Sequence, residues 1–171
     1  RARSVRRGPL MPIVRIGAVS YLNARPLVVG LGSRPHRFAV RYDLPSVCAR
    51  LLHAGQIDLG LIPSIEYLRG DGLAIVPACA VVSDGPVASV AVFTKVPIER
   101  VQSIALDTSS RTSVALTRVM AAKQFGIAPR MIDHGPDLPR MVERADAALL
   151  IGDPALFADH EALGLEKIDL G

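Results

Sequence analysis

Short apolar runs rich in β-branched residues alternate along the chain with stretches whose apolar positions recur every three or four residues. This is the order expected when a largely parallel sheet is crossed by helices. The runs predict strands at residues 13–19, 38–43, 57–62, 73–82, 89–95, 103–107, 130–133 and 148–151, with helices between them. Asn23 reads as the N-cap of the first helix, with Pro26 in its opening turn, where a missing N–H costs nothing. The second helix starts at Pro45, lines Val47, Leu51 and Leu52 along one face and stops at Gly55. Short helices follow Pro63 and Pro154, and the longest spans 109–125, closed by Gly126.

A weak internal echo runs through this pattern. Asp43-Leu44-Pro45, a helix, and Ile57-Asp58-Leu59-Gly60-Leu61-Ile62-Pro63 match Asp137-Leu138-Pro139, a helix, and Ala145-Asp146-Ala147-Ala148-Leu149-Leu150-Ile151-Gly152-Asp153-Pro154. Two similar α/β lobes are implied, at 13–87 and 88–171, with a hinge at the turn-rich Ser83-Asp84-Gly85-Pro86. Residues 1–12 read as a disordered basic leader. The closing Glu166-Lys167-Ile168-Asp169-Leu170-Gly171 reads as the opening of another strand, so a sequence incomplete at its C-terminus is expected.

Composition narrows the function classes. Half of the 171 residues are apolar, which is enough to build a core and excludes a disordered chain. The net charge of +4 is carried by the leader: Arg1, Arg3, Arg6 and Arg7 precede Met11, no acid does, and the remainder is balanced. A body without a concentrated basic face, and with only four Phe and three Tyr for base stacking, is not expected to bind nucleic acid. The leader lacks the apolar core of a signal peptide, and no apolar run approaches the roughly 18 residues that cross a membrane. A cytoplasmic protein with no membrane partner is therefore expected. Cys48 and Cys79, with no C-x-x-C spacing, are expected to be buried thiols. His36, His53, His134 and His160 are scattered, and no phosphate-binding or dinucleotide glycine loop is present, so neither metal nor cofactor is expected.

Ligands of open α/β sheets lie beyond the carboxyl ends of the strands, where helix N-termini also point. The loops there are 20–23, 63–66, 83–86, 107–113 and 152–154. The stretch Asp107-Thr108-Ser109-Ser110-Arg111-Thr112-Ser113 crowds hydroxyls and a cation into the first turn of a helix. It suits a carboxylate or phosphate, or else a single hydroxyl there simply caps the helix. Asn23 is either a cap or an amide for a substrate hydroxyl. Asp153 is either a second cap or a ligand contact. Glu66 is expected to face solvent or favour its helix dipole, and Asp58 and Asp146 to be turn acids.

Five segments in order carry a resemblance: Ile16-Gly17-Ala18-Val19-Ser20-Tyr21-Leu22-Asn23-Ala24-Arg25-Pro26-Leu27, Gly60-Leu61-Ile62-Pro63-Ser64-Ile65-Glu66-Tyr67, Ser83-Asp84-Gly85-Pro86-Val87-Ala88-Ser89-Val90, Asp107 to Ser113, and Leu150-Ile151-Gly152-Asp153-Pro154-Ala155-Leu156. Together they resemble the chorismate dehydratases of the futalosine route to menaquinone, the MqnA family. The resemblance spans residues 13–170. It implies a two-lobed fold of the type II periplasmic-binding-protein kind, each lobe a mostly parallel sheet flanked by helices. It also implies conversion of chorismate, a small dianion, to 3-[(1-carboxyvinyl)oxy]benzoate and water without metal or organic cofactor. On it, Asn23 matches the catalytic asparagine and Ser89, in G-P-x-x-S, a substrate-contacting serine. Ser109, Ser110, Arg111 and Thr112 would hold a carboxylate, with Ser64 and Asp153 as further substrate contacts. Family members run longer, and their last segment returns to the first lobe. Two other readings share the fold, a solute-binding protein without catalysis and the related 1,4-dihydroxy-6-naphthoate synthase; the Ser-Tyr-Leu-Asn and Asp-Thr-Ser-Ser-Arg-Thr stretches favour the dehydratase.

Overall fold

The alternation of strands and helices is realised as two separate sheets. The computed structural model describes residues 12–70 and 72–171, which fall into two units, one of residues 12–62 with 75–81 and one of residues 63–74 with 82–171. The basic leader up to Met11 lies outside the described residues.

In the first unit β1 (Val14–Val19) is flanked by β2 (Phe38–Asp43) and β3 (Leu59–Gly60), both parallel to it. Parallel neighbours require crossovers. A 3-10 turn at Leu22–Leu27 belongs to the first, and helix α1 (Pro45–His53), with Pro45 at its start, forms the second. Cys48, Leu51 and Ile57 form this unit's small buried cluster. Gly17 on β1 lets α1 sit close, because a Cβ there would lie 2.6 Å from Ile57 Cδ1 and 3.1 Å from Cys48 Sγ. The carboxylate of Asp58 accepts the Arg15 N–H at 2.8 Å and the Arg15 guanidinium at 3.0 and 2.6 Å, tying the start of β3 to the start of β1.

The second unit contains α2 (Ser64–Arg69), β4 (Val90–Thr94), β5 (Ser103–Asp107), α3 (Arg111–Lys123), β6 (Arg130–His134), α4 (Leu138–Arg144), β7 (Ala147–Ile151), α5 (Asp153–Leu156) and β8 (Glu166–Asp169). Its sheet has the order β6-β5-β7-β4-β8; β4 is antiparallel to both neighbours and runs against the other four. The period of two sorts the strand residues onto two faces. Ala91, Phe93, Ala105, Ala148 and Leu150 face Leu138 and Met141 of α4 and Ala155 of α5. Val92, Ile104, Leu106, Ala147 and Leu149 face the opposite way, where Val114 and Met120 of α3 pack. Asp146 repeats the work of Asp58, its carboxylate accepting the N–H groups of Gln102 and Ser103, each at 3.0 Å.

Several expectations are corrected. The run 73–82 forms no strand, and Ile75, Val76, Val81 and Val82 are exposed. A strand exists by pairing, Pro77 has no N–H to offer, Ala78 lies in the left-handed region at φ +58°, and among the described residues β3 has β1 as its only neighbour. Cys79, carried on this run, is accordingly exposed, whereas Cys48 is buried as expected. The strand expected at 57–62 shrinks to Leu59–Gly60. Among the described residues no helix is long and apolar enough to cross a membrane.

Candidate functional site

Within the second unit, β5 ends at Asp107 and its parallel neighbour β7 ends at Ile151, while β4 begins with Val90 opposite Ile151. This register gathers Ser89, the Gly152 turn and residues 108–110 at one edge of the sheet, beyond the carboxyl ends of its parallel strands. The Gly152 N–H donates to the Ser89 carbonyl at 2.7 Å. Gly152 sits at φ +66°, ψ −150°, which glycine alone enters without strain. It holds the N-cap position of α5. Asp153 is therefore not a cap but the first, exposed residue of that helix.

Ser110 caps α3. Its Oγ accepts the Ser113 N–H at 3.2 Å and shares a 2.8 Å hydrogen bond with the Ser113 hydroxyl. Either hydroxyl can donate to the other, so the pair spends one O–H on this bond and keeps one over. Asp107 is buried, and its Oδ1 accepts the Ser109 N–H at 3.0 Å, bending the chain into the helix. Asp107 Oδ2 and Thr112 Oγ1 are both buried with no hydrogen-bond partner among the described residues. Ser109 is exposed at the same turn, so the hydroxyl-rich stretch does bring polar capacity to the helix start beyond what capping uses.

Glu66 stands in the first turn of α2, where its charge favours the helix dipole as expected, but it does not face solvent. Its side chain is 5% exposed, because the Arg111 guanidinium donates to Oε1 at 3.1 Å, and Arg69 lies 3.7 Å from the same oxygen. A buried carboxylate needs such cations, and the pair in turn fixes Arg111, whose side chain remains 44% exposed, at the start of α3. Ser64 is exposed at the first position of α2, the helix that carries Glu66. The pairing joins residues 45 apart, so no local pattern announces it.

Asn23 belongs to the first unit, beyond the carboxyl end of β1, and is exposed. It does not cap a helix. Tyr21 occupies the N-cap position of the 3-10 turn, and its carbonyl accepts the Ala24 N–H at 3.0 Å, so the tight turn closes without help from a side chain. Among the described residues no three His, Cys, Asp or Glu side chains gather as metal ligands would.

Comparison with known proteins places this geometry. The fold is similar to protein AF1704 from Archaeoglobus fulgidus, at 17% identity and a TM-score of 0.65, over 92% of this chain and 60% of that one. It is likewise similar to YhfZ from Shigella flexneri, at 19% identity and a TM-score of 0.64, over 92% and 70% of the two chains. These likenesses are of fold, the type II periplasmic-binding-protein-like architecture of two mostly parallel sheets flanked by helices. In sequence, 144 residues are 35% identical to a chorismate dehydratase from Thermus thermophilus, covering 84% of this chain; the chain spans about half, 52%, of that relative's length. The family model described as menaquinone biosynthesis matches residues 14–171, from the first residue of β1 onward, and the chain belongs to that family.

Proposed function

We propose that this protein is a chorismate dehydratase, which expels water from chorismate to leave 3-[(1-carboxyvinyl)oxy]benzoate. The observation that carries this reading is the start of α3, where Arg111 is held against buried Glu66 beside the hydroxyls of Ser109, Ser110 and Thr112. Free N–H groups, the dipole of a 13-residue helix and a fixed guanidinium together suit a carboxylate, and chorismate carries two. Family membership and the Thermus thermophilus relative favour chorismate over other small anions.

The reaction breaks the bond to the ring hydroxyl, removes one ring proton and makes the ring aromatic. Aromatisation supplies driving force, so the protein's share is chiefly positioning and charge stabilisation. In this reading Asn23 orients the departing hydroxyl and stabilises the charge that develops on it. The substrate's own side-chain carboxylate takes the ring proton. Ser109, Ser110, Arg111 and Thr112 hold a carboxylate, and Ser89, Ser64 and Asp153 contact the remainder. Incubating the full-length protein with chorismate and following the ultraviolet spectrum tests the proposal. A rising benzoate absorbance with loss of the diene supports it, while binding without spectral change would leave a solute-binding protein instead.

A further inference from the structure

The segment before β4 makes a turn that does not stand on its own. Ala88 lies at φ +56°, in the left-handed region that disfavours any residue with a Cβ, and the Ser89 N–H bonds back to the Val87 carbonyl only two residues earlier. A γ-turn of this sense is rare and strained, so something outside the turn must hold it.

The holder is the far end of β8. Asp169 Oδ1 accepts the Val87 N–H at 3.1 Å and the Gly171 N–H at 2.8 Å, and Oδ2 accepts the Ala88 N–H at 2.6 Å. Lys167 Nζ donates to the Ala88 carbonyl at 2.8 Å, and the Ser89 carbonyl is taken by Gly152. Every main-chain polar group from Val87 to Ser89 is thereby used. The Ser89 hydroxyl is the polar group left over, without a hydrogen bond among the described residues. Burial pushes the Asp169 carboxyl up, but its three N–H donors and the nearby Lys167 outweigh this and hold it below the usual carboxylate range, in the ionised form the clamp requires.

We propose that Asp169 is a positioning residue for the substrate contact at Ser89, its carboxylate locking the strained turn that presents the Ser89 hydroxyl. This rests on the reading of chorismate as substrate and Ser89 as one of its contacts. Asp169 touches no reacting atom; it acts through two peptide N–H groups, 82 and 81 residues away in sequence.

The test is a double-mutant cycle on kcat/KM for chorismate in the full-length protein. Asp169→Asn turns an acceptor into a donor facing N–H groups and should lower kcat/KM about tenfold, roughly the worth of one hydrogen bond to an anion. Ser89→Ala should cost a similar factor. In the Ser89→Ala background Asp169→Asn should then cost almost nothing more, because the contact it positions is already gone. Two losses that multiply independently would make Asp169 merely structural and overturn the proposal. If Asp169→Asn does not fold, Lys167→Met gives the same answer through the Ala88 carbonyl: a loss of about two- to threefold that vanishes beside Ser89→Ala supports positioning, and one that persists overturns it. A parent protein inert toward chorismate would instead bring down the substrate reading, and this inference with it. A fully active parent indifferent to Ser89→Ala would bring down this inference alone.

Discussion

In the first unit β1 lies between β2 and β3, and in the second β5 lies between β6 and β7, with every one of these pairings parallel. The acid immediately before the third strand of each set does the same work. Asp58 accepts the Arg15 N–H at 2.8 Å, and Asp146 accepts the Ser103 N–H at 3.0 Å, each joining the start of the third strand to the start of the first. Beyond that motif the two differ. The second sheet adds β4 and β8, and buried clusters form on both of its faces. Among the described residues the first stops at β3, with one small cluster, and the apolar stretch 75–81 that returns to this unit, the sequence counterpart of β8, stays unpaired with Ile75 66% exposed. β8 is a strand because β4 is there to pair with it. Hydrophobicity proposes a strand; a neighbour's free N–H and C=O groups decide it.

The difference in cores can be broken directly. Phe93 is fully buried beneath α4 and α5, and Phe93→Ala should cost about 3–5 kcal/mol in chemical denaturation. Leu51→Ala, in the three-residue cluster of the first unit, should cost only about 2–3 kcal/mol, because a small cluster can close around the gap. Equal losses would mean that the two cores are equivalent despite their sizes.

The proposed chemistry divides between the units in the same way, and kinetics would sharpen it. Asn23→Ala should lower kcat by about a hundredfold with KM nearly unchanged, since it removes a group assigned to developing charge. Arg111→Met should instead raise KM about tenfold with a small change in kcat, as expected for a group that holds a carboxylate in ground and transition states alike. The fold should survive this second change, because Arg69 remains 3.7 Å from Glu66. An Arg111→Met variant of unaltered KM would reduce the Glu66–Arg111 pair to a structural tie.

What the sequence made legible follows the same logic. The strands Phe38–Asp43 and Ser103–Asp107 were readable to the residue, and so was the start of α1 at Pro45, because local pattern and breakers set those limits. The echo of Asp58 and Asp146 as turn acids was readable because it is a matter of position within a repeated unit. The hydroxyl cluster at α3 was visible as composition at a helix start. The burial of Glu66, the exposure of Cys79 and the hold of Asp169 on Val87 and Ala88 were not readable, since each depends on a partner, present or lacking, far along the chain. Asn23 misled for a different reason: a 3-10 turn closes on the Tyr21 carbonyl and has no use for the side-chain cap an α-helix would take.

The smallest expected effect separates the two acid clamps. Hydrogen bonds from the Arg15 side chain, and then from its N–H, hold the Asp58 carboxyl down at about 2. For Asp146 burial pushes the carboxyl up, but the N–H groups of Gln102 and Ser103, the Ser103 hydroxyl and the charge of Lys95 outweigh it and keep it below its ordinary value. A carboxyl depressed in the folded state stabilises that state when ionised. The Asp58 contribution should therefore be whole above the ordinary aspartate value of about 4 and fade as pH falls toward 2, although the exposure of both partners makes it slight. Arg15→Met removes the guanidinium and leaves the main-chain N–H. In a carboxyl-detected NMR titration the Asp58 midpoint should climb toward its ordinary value while that of Asp146 stays put. An unmoved Asp58 would show that the strand's own N–H suffices, making both clamps main-chain devices and the arginine an ornament of the first.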